Sequence, residues 1–312
     1  MGENIRIEKS IFKSLTDQDM EMYRWTPTGN IKGIVQIIHG MAEHIFRYDN
    51  FARFLVDNSY MVVGFNIAGH GKTAKHLGYF ANDNGWTKVV EDIHKLRETI
   101  QSGFKNTPYF ILGHSMGSFI TRTYLQKYSD GLAGVILSGS GQQAPIMVTL
   151  GSLIAKAQIL FGKGKEKSII LNNLSFASFN KAFEPARTSF DWLSRDNNQV
   201  DKYIADDYCG FAFTAGGYRD LLYGIKGINN ISNSANINKD LPIYLFSGDK
   251  DPVGNNGKAV LEIAEIFKDL GIKDVETKLY PNGRHEMLNE INKDEVYSDV
   301  LIWLNSKIKE QL

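Results

Sequence analysis

The sequence has 312 residues, 43% hydrophobic and 22% charged, which suits one large α/β domain with an insertion, or two small domains, and argues against disorder. Thirty-five basic residues balance thirty-five acidic ones, so the charge gives no reason to expect nucleic acid or a strongly anionic partner. The lone cysteine, Cys209, excludes an internal disulfide and a multi-cysteine zinc site and points to a reducing compartment.

Taken in chain order, MGENIRIEKS lacks the apolar core of a secretory signal, and no run of about eighteen apolar residues follows. A cytoplasmic location is therefore expected. IFKSLT (11–16) and EMYRWT (21–26) predict an antiparallel hairpin at a sheet edge. IKGIVQII (31–38), YMVVGFN (60–66), PYFILG (108–113) and LAGVILSG (132–139) read as strands. Helical patterns lie between them near 47–58, 85–102 and 116–128. That alternation predicts a mostly parallel sheet covered on both faces.

From Gln142 to Asp240 the strand signals stop and the chain reads as mainly helical. Ile146, Leu150, Leu153, Ile154, Ala157, Leu160 and Phe161 fall on one helical face, with many aromatics after them. These residues read as the insertion's own small core. An insertion at a strand's carboxyl end also sits where open α/β sheets bind ligands, so it is a candidate lid. Strand and helix then alternate again, with strands at 241–248 and 275–280 and helices at 257–270 and 295–308. The expected organisation is a core of 1–141 and 241–312 interrupted by a helical cap of 142–240.

The segment between the third central strand and its helix reads Gly113-His114-Ser115-Met116-Gly117, a G-x-S-x-G in the strand–turn–helix context the motif requires. Side chains at either glycine would collide with neighbouring elements, and the turn projects the Ser115 hydroxyl at a helix N-terminus. A serine hydroxyl needs a base, and in this arrangement the acid and then the histidine follow it in the chain. His285 comes after the last strand, whereas five other histidines precede the serine and His114 belongs to the turn itself. Asp251, before Pro252 on the loop after strand 241–248, can reach His285; Asp249 competes but suits capping its own turn. The backbone amides of Met116 and Met41 are the expected oxyanion donors, the latter on His39-Gly40-Met41-Ala42-Glu43-His44.

HGMAEH with Arg47-Tyr48, GHSMG, SGDKDPVG and RHEMLNE resemble monoacylglycerol lipases and lysophospholipases of the α/β-hydrolase superfamily. The resemblance runs over nearly the whole chain and is loose in the insertion. It implies an α/β-hydrolase fold with a mostly parallel eight-stranded sheet, a helical cap, Ser115, Asp251 and His285 as triad, and Met41 and Met116 as donors. It further implies that Glu43, Arg47 and Tyr203 line a polar end receiving a glycerol-like headgroup; the alternative is an internal salt bridge with a packing tyrosine. Two departures are Asn66, where members carry Asp, and Gly117-Ser118 in place of Gly-Gly.

The expected chemistry is hydrolysis of a monoacylglycerol, a lysophospholipid or a small carboxylic ester through an acyl-enzyme, without metal or organic cofactor. The cap is expected to touch a membrane or micelle surface transiently. An aminopeptidase of the same fold would use Glu184, Asp191, Asp206 and Asp207 to hold an ammonium group. A catalytically silent binding protein would have lost one of the three residues. H-E-x-x-H, a G-x-G-x-x-G after a strand and a P-loop are absent from the sequence, against metalloprotease, dinucleotide and nucleotide-hydrolysing readings.

Overall fold

The computed structural model describes residues 5–309; the first four and last three residues, which the readings of the N-terminus and of the outer domain limits include, lie outside it. Ile5–Lys13 (β1) and Asp19–Pro27 (β2) form the edge hairpin, with Ile5 opposite Pro27 and Lys13 opposite Asp19. The hairpin is longer than the sequence runs suggest. Its outer strand is mostly exposed, so most of β1 carries little apolar signal.

The remaining strands are Gly33–Ile38 (β3), Tyr60–Phe65 (β4), Tyr109–His114 (β5), Gly134–Ser138 (β6), Ile243–Gly248 (β7) and Val275–Tyr280 (β8). β3 to β7 are buried along their whole length, the pattern of parallel strands covered on both faces. The order across the sheet is β1-β2-β4-β3-β5-β6-β7-β8. From β3 the chain moves to one side to make β4, then returns to the other side to make β5. The crevice outside the carboxyl ends of β3 and β5 is therefore the topological switch point, where open α/β sheets hold ligands. The two strands end in step, with Ile38 opposite Gly113.

One face of the sheet is covered by Gly85–Gly103 (α2), Met116–Tyr128 (α3), Ala215–Asn229 (α7) and Lys258–Asp269 (α8). Asp49–Asp57 (α1) and Lys293–Lys309 (α9) cover the other. Between β6 and β7 the chain forms Pro145–Leu160 (α4), Ile169–Phe176 (α5), Asn197–Ala205 (α6) and finally α7. α7 packs on α4 but also on α2 and α3, so the inserted segment ends inside the core's own helical layer.

The expectation that the α4 apolar residues form the insertion's own core is met by Ile154, which packs against the buried core, and fails for most of the others. Ile146, Leu150, Leu153, Leu160 and Phe161 are exposed, while Val148, Gly151 and Ala155 face inward. α4 is apolar nearly all round, so burying its small-residue stripe leaves the large side chains outside. The aromatics behave differently: Phe176, Phe179, Phe183 and Phe190 do pack around Trp192, Leu193 and Tyr203. Among the described residues, no helix is long and apolar enough to cross a membrane.

Candidate active site

Ser115 sits between β5 and α3 with φ 52° and ψ −119°, a left-handed conformation unusual for a residue with a side chain. Tight packing holds it there. A Cβ on Gly117 would overlap the Ile38 carbonyl and lie 2.7 Å from that of His39, and one on Gly113 would run into Thr121 and the Gly117 backbone. The Ser115 amide donates to Ser138 O at 2.9 Å. Ser118, the departure behind the turn, is fully buried; its hydroxyl donates to Ser115 O at 2.6 Å and accepts from the Ser140 hydroxyl at 2.9 Å. It thus ties the turn to the loop after β6.

His285 follows β8, and its Nδ1 lies 3.0 Å from both carboxylate oxygens of Asp251. Both groups are buried. Asp251 also accepts from the Ser247 hydroxyl at 2.7 Å and the Val253 amide at 2.9 Å, so three donors fix its plane. Burial alone would push the His285 imidazole down, but the Asp251 charge and hydrogen bond outweigh it and raise it. Burial likewise works against the Asp251 carboxylate, and His285, Ser247 and Val253 together hold it below its ordinary value. Asp249 does accept a backbone amide, but from Asn282 at 2.7 Å in the turn after β8 rather than from its own turn. His114 contacts Ser138 Oγ at 3.2 Å, with its ring centroid 4.7 Å from that of His285.

Met41 and Met116 flank Ser115 on the same cavity wall. Neither backbone amide meets an acceptor among the described residues, whereas the next amide, Ala42 N, donates to His70 Nε2 at 3.2 Å. His70 can accept there because its Nδ1 faces Ala68 O at 3.1 Å, which selects that neutral tautomer. His39 repeats the device, with Nδ1 facing Gly40 O at 2.8 Å and Nε2 accepting from the Ile67 amide at 2.8 Å. Burial pushes both imidazoles down to about 3, so both are neutral in this loop. The loop is fastened on its other side by Asn66, which accepts from Ile45 N at 2.9 Å and donates to Glu21 at 3.2 Å.

Glu43, Arg47 and Tyr203 are brought together, but as a buried network. Glu43 accepts from Gly40 N at 2.5 Å, Tyr48 Oη at 2.8 Å and Arg47 Nη1 at 2.7 Å. Arg47 makes two further bonds of 2.7 Å to Glu286 and lies over the Tyr203 ring, 4.7 Å from its centroid. The Tyr203 hydroxyl donates to Ala42 O at 3.0 Å. Glu43 and Tyr203 edge the cavity; Arg47 does not. The set buttresses the Gly40–Glu43 loop, and the expectation that all three receive a headgroup is corrected for Arg47. Its guanidinium is occupied by two carboxylates. Glu286, next in sequence to His285, was missed by sequence reasoning, as were the roles of His39, His70 and Ser247. Only the adjacency of Glu286 to His285 offered a signal.

Ser115 and His285 open on one cavity of about 730 Å³, within the roughly 300–1,000 Å³ span of small-molecule sites. Its far walls are largely apolar and come from α4, α5 and α7, including Met147, Leu171, Leu174, Leu221 and Ile225. None of Glu184, Asp191, Asp206 and Asp207 lines it. Asp191 caps the 187–188 turn and Asp206 bonds His44. The four insertion acids named for an aminopeptidase reading are thus not gathered at the cavity; the carboxylates on its wall are Glu43 and Glu286, both paired with Arg47.

A strand–turn–helix serine at a switch point, sharing one cavity with the histidine of a His–Asp pair, is the arrangement of α/β-hydrolase-fold enzymes. The family model described as serine aminopeptidase, S33, matches residues 29–292, and the chain belongs to that family. It is a serine ester hydrolase. The chain is 27% identical to a monoacylglycerol lipase of Mycolicibacterium smegmatis, over 91% of this chain and 92% of that one. It is 24% identical to the monoglyceride lipase of Homo sapiens, over 91% and 86%. A thermostable carboxyl esterase from Bacillus coagulans, solved in complex with glycerol, superposes with a TM-score of 0.90 at 29% identity, covering 97% of this chain and 99% of that one.

Proposed function

We propose that the protein hydrolyses carboxylic esters of lipid-like alcohols, monoacylglycerols first, with Ser115 as nucleophile, His285 as base and Asp251 as its orienting carboxylate. The observation that carries this reading is the shared wall: Ser115 and a His285 already held by Asp251 open on one cavity with an apolar far end. His285 Nε2 takes the Ser115 proton as Oγ attacks the ester carbonyl carbon. The oxyanion rests on the Met41 and Met116 amides, which have no acceptor to leave among the described residues. The tetrahedral species collapses, His285 returns the proton to the departing alcohol oxygen, and Ser115 holds the acyl group. Water then attacks with the same base, releasing the fatty acid and regenerating Ser115. Asp251 keeps the Nδ1–H tautomer and stabilises the imidazolium in both halves. The names of the monoacylglycerol-lipase relatives and the apolar wall from α4, α5 and α7 both favour an acyl chain over a small acid.

In this reading the segment between β6 and β7 is a cap, and Ile146, Leu153, Leu160, Phe161, Ile169 and Ile170, all exposed, meet the lipid aggregate.

The test is turnover of 1-monoacylglycerol, lysophosphatidylcholine and p-nitrophenyl esters of short and long acyl length by wild type and Ser115→Ala. Monoacylglycerol should rank first, with loss of activity in the variant. Preference for lysophosphatidylcholine or for short esters replaces the substrate while keeping the chemistry. An active Ser115→Ala overturns both.

A further inference from the structure

We propose that His44, Asp206 and Cys209 form a zinc-binding site that clips the loop after β3 to the segment after α6. His44 lies on the first segment and Asp206 and Cys209 on the second, with Asp206 162 residues from His44 in the chain. One ligand atom from each side chain lies within 4.8 Å of the others. His44 Nε2 and Asp206 Oδ2 are 2.8 Å apart.

Imidazole, carboxylate and thiolate are together a donor set that suits zinc, with water completing a tetrahedron. Ligand bonds of about 2.0–2.3 Å place neighbouring donors of such a site about 3.5 Å apart. To meet that spacing the His44–Asp206 pair must open from 2.8 Å and the sulfur must move in from within 4.8 Å.

The second segment is already folded for this. Asp206 Oδ1 accepts from Tyr208 N at 2.8 Å and Asp206 O accepts from Cys209 N at 3.0 Å, so the turn carries the thiol back towards Oδ2. All three side chains are half-buried, within reach of an ion from solvent yet partly stripped of water. The nearby Arg47 charge is countered by Glu43 and Glu286. On binding, Cys209 releases its proton to solvent and the ion takes the sulfur lone pair. His44 binds neutral through Nε2, its ring proton exchanging through water to Nδ1.

The same two segments are joined by Gly210 N to Ala42 O at 2.9 Å, and Tyr203 Oη on α6 donates to the same Ala42 O at 3.0 Å. The ion therefore adds a cross-link beside the Met41 amide and restrains the loop that carries it.

The experiment uses tag-free protein, stripped by dialysis against a chelator and kept in a non-thiol reductant. Titration with Co²⁺ should give one equivalent bound and a thiolate-to-cobalt charge-transfer band in the near ultraviolet, bleached by Zn²⁺. Cys209→Ser should abolish the band, and His44→Ala and Asp206→Asn should weaken Zn²⁺ binding at least tenfold. Zn²⁺ should raise the melting temperature of wild type and leave that of Cys209→Ser unchanged. His285→Ala must keep the band, which separates this site from the imidazole beside Asp251. Wild type without the band, or Cys209→Ser binding Zn²⁺ as tightly as wild type, overturns the proposal.

Discussion

Arg47→Ala should be among the most damaging substitutions outside the cavity wall. The guanidinium makes three bonds of 2.7 Å to Glu43 and Glu286, and all three side chains are nearly buried, at 11%, 4% and 6% exposure. Removing one partner of a buried ion pair costs about 3–5 kcal/mol, because the remaining charge stays desolvated and unpaired. The two carboxylates are not equally affected. Glu43 keeps the Gly40 amide and the Tyr48 hydroxyl, while Glu286 keeps only Asn289 Nδ2 at 3.0 Å. In the Arg47→Ala background, Glu286→Gln should therefore restore more stability than Glu43→Gln. Urea unfolding followed by tryptophan fluorescence measures all four proteins. A loss below about 1 kcal/mol for Arg47→Ala, or equal rescue by the two glutamines, refutes the reasoning.

Asp251→Asn should lower kcat/KM by about 10⁴, since the amide no longer selects the Nδ1–H tautomer. In wild type the raised His285 imidazole must lose its proton to act, so the acid limb of the pH–rate profile should have its midpoint above 6.5, the ordinary value. Gly117→Ala should abolish activity and cost more than about 3 kcal/mol, because its methyl meets the Ile38 and His39 carbonyls rather than a side chain that can move; a stable, active variant in thermal melts and ester assays would count against that packing. Asp92, bonded to Ser14 Oγ and Leu15 N, has its carboxyl pushed up to about 6 by burial. The folded chain thus holds a proton that the unfolded chain releases near 4. Stability should fall as pH rises from about 4 through 6, by roughly 3 kcal/mol at 1.36 kcal/mol per pH unit, and stay lost above. Asp92→Asn should flatten that slope in denaturant titrations at several pH values.

Sequence by itself determined the alternation of strands and helices, because the central strands carry mostly apolar runs and covering helices such as α1 and α8 an amphipathic pattern. It also determined the strand–turn–helix context of Ser115, where two glycines and a serine are local features of five residues. The edge strand β1 was only partly legible, since a mostly exposed strand needs little apolar alternation. Other features depended on partners far away in the chain. Whether Asp249 or Asp251 faces His285 is set by how the loops after β7 and β8 meet; in sequence the position of Asp251 before Pro252 favoured it, with Asp249 two residues away as competitor. For Arg47 the sequence left a headgroup role and an internal salt bridge both open, and it gave no sign that Glu286, 239 residues later, would be its partner. His39 and His70 read as spare histidines, yet burial makes them neutral and their carbonyl partners select tautomers that accept amides. On α4 the tertiary structure decided which side faces in. A helix apolar nearly all round has no pattern to choose by, and the neighbouring α7 admits the face with the small residues.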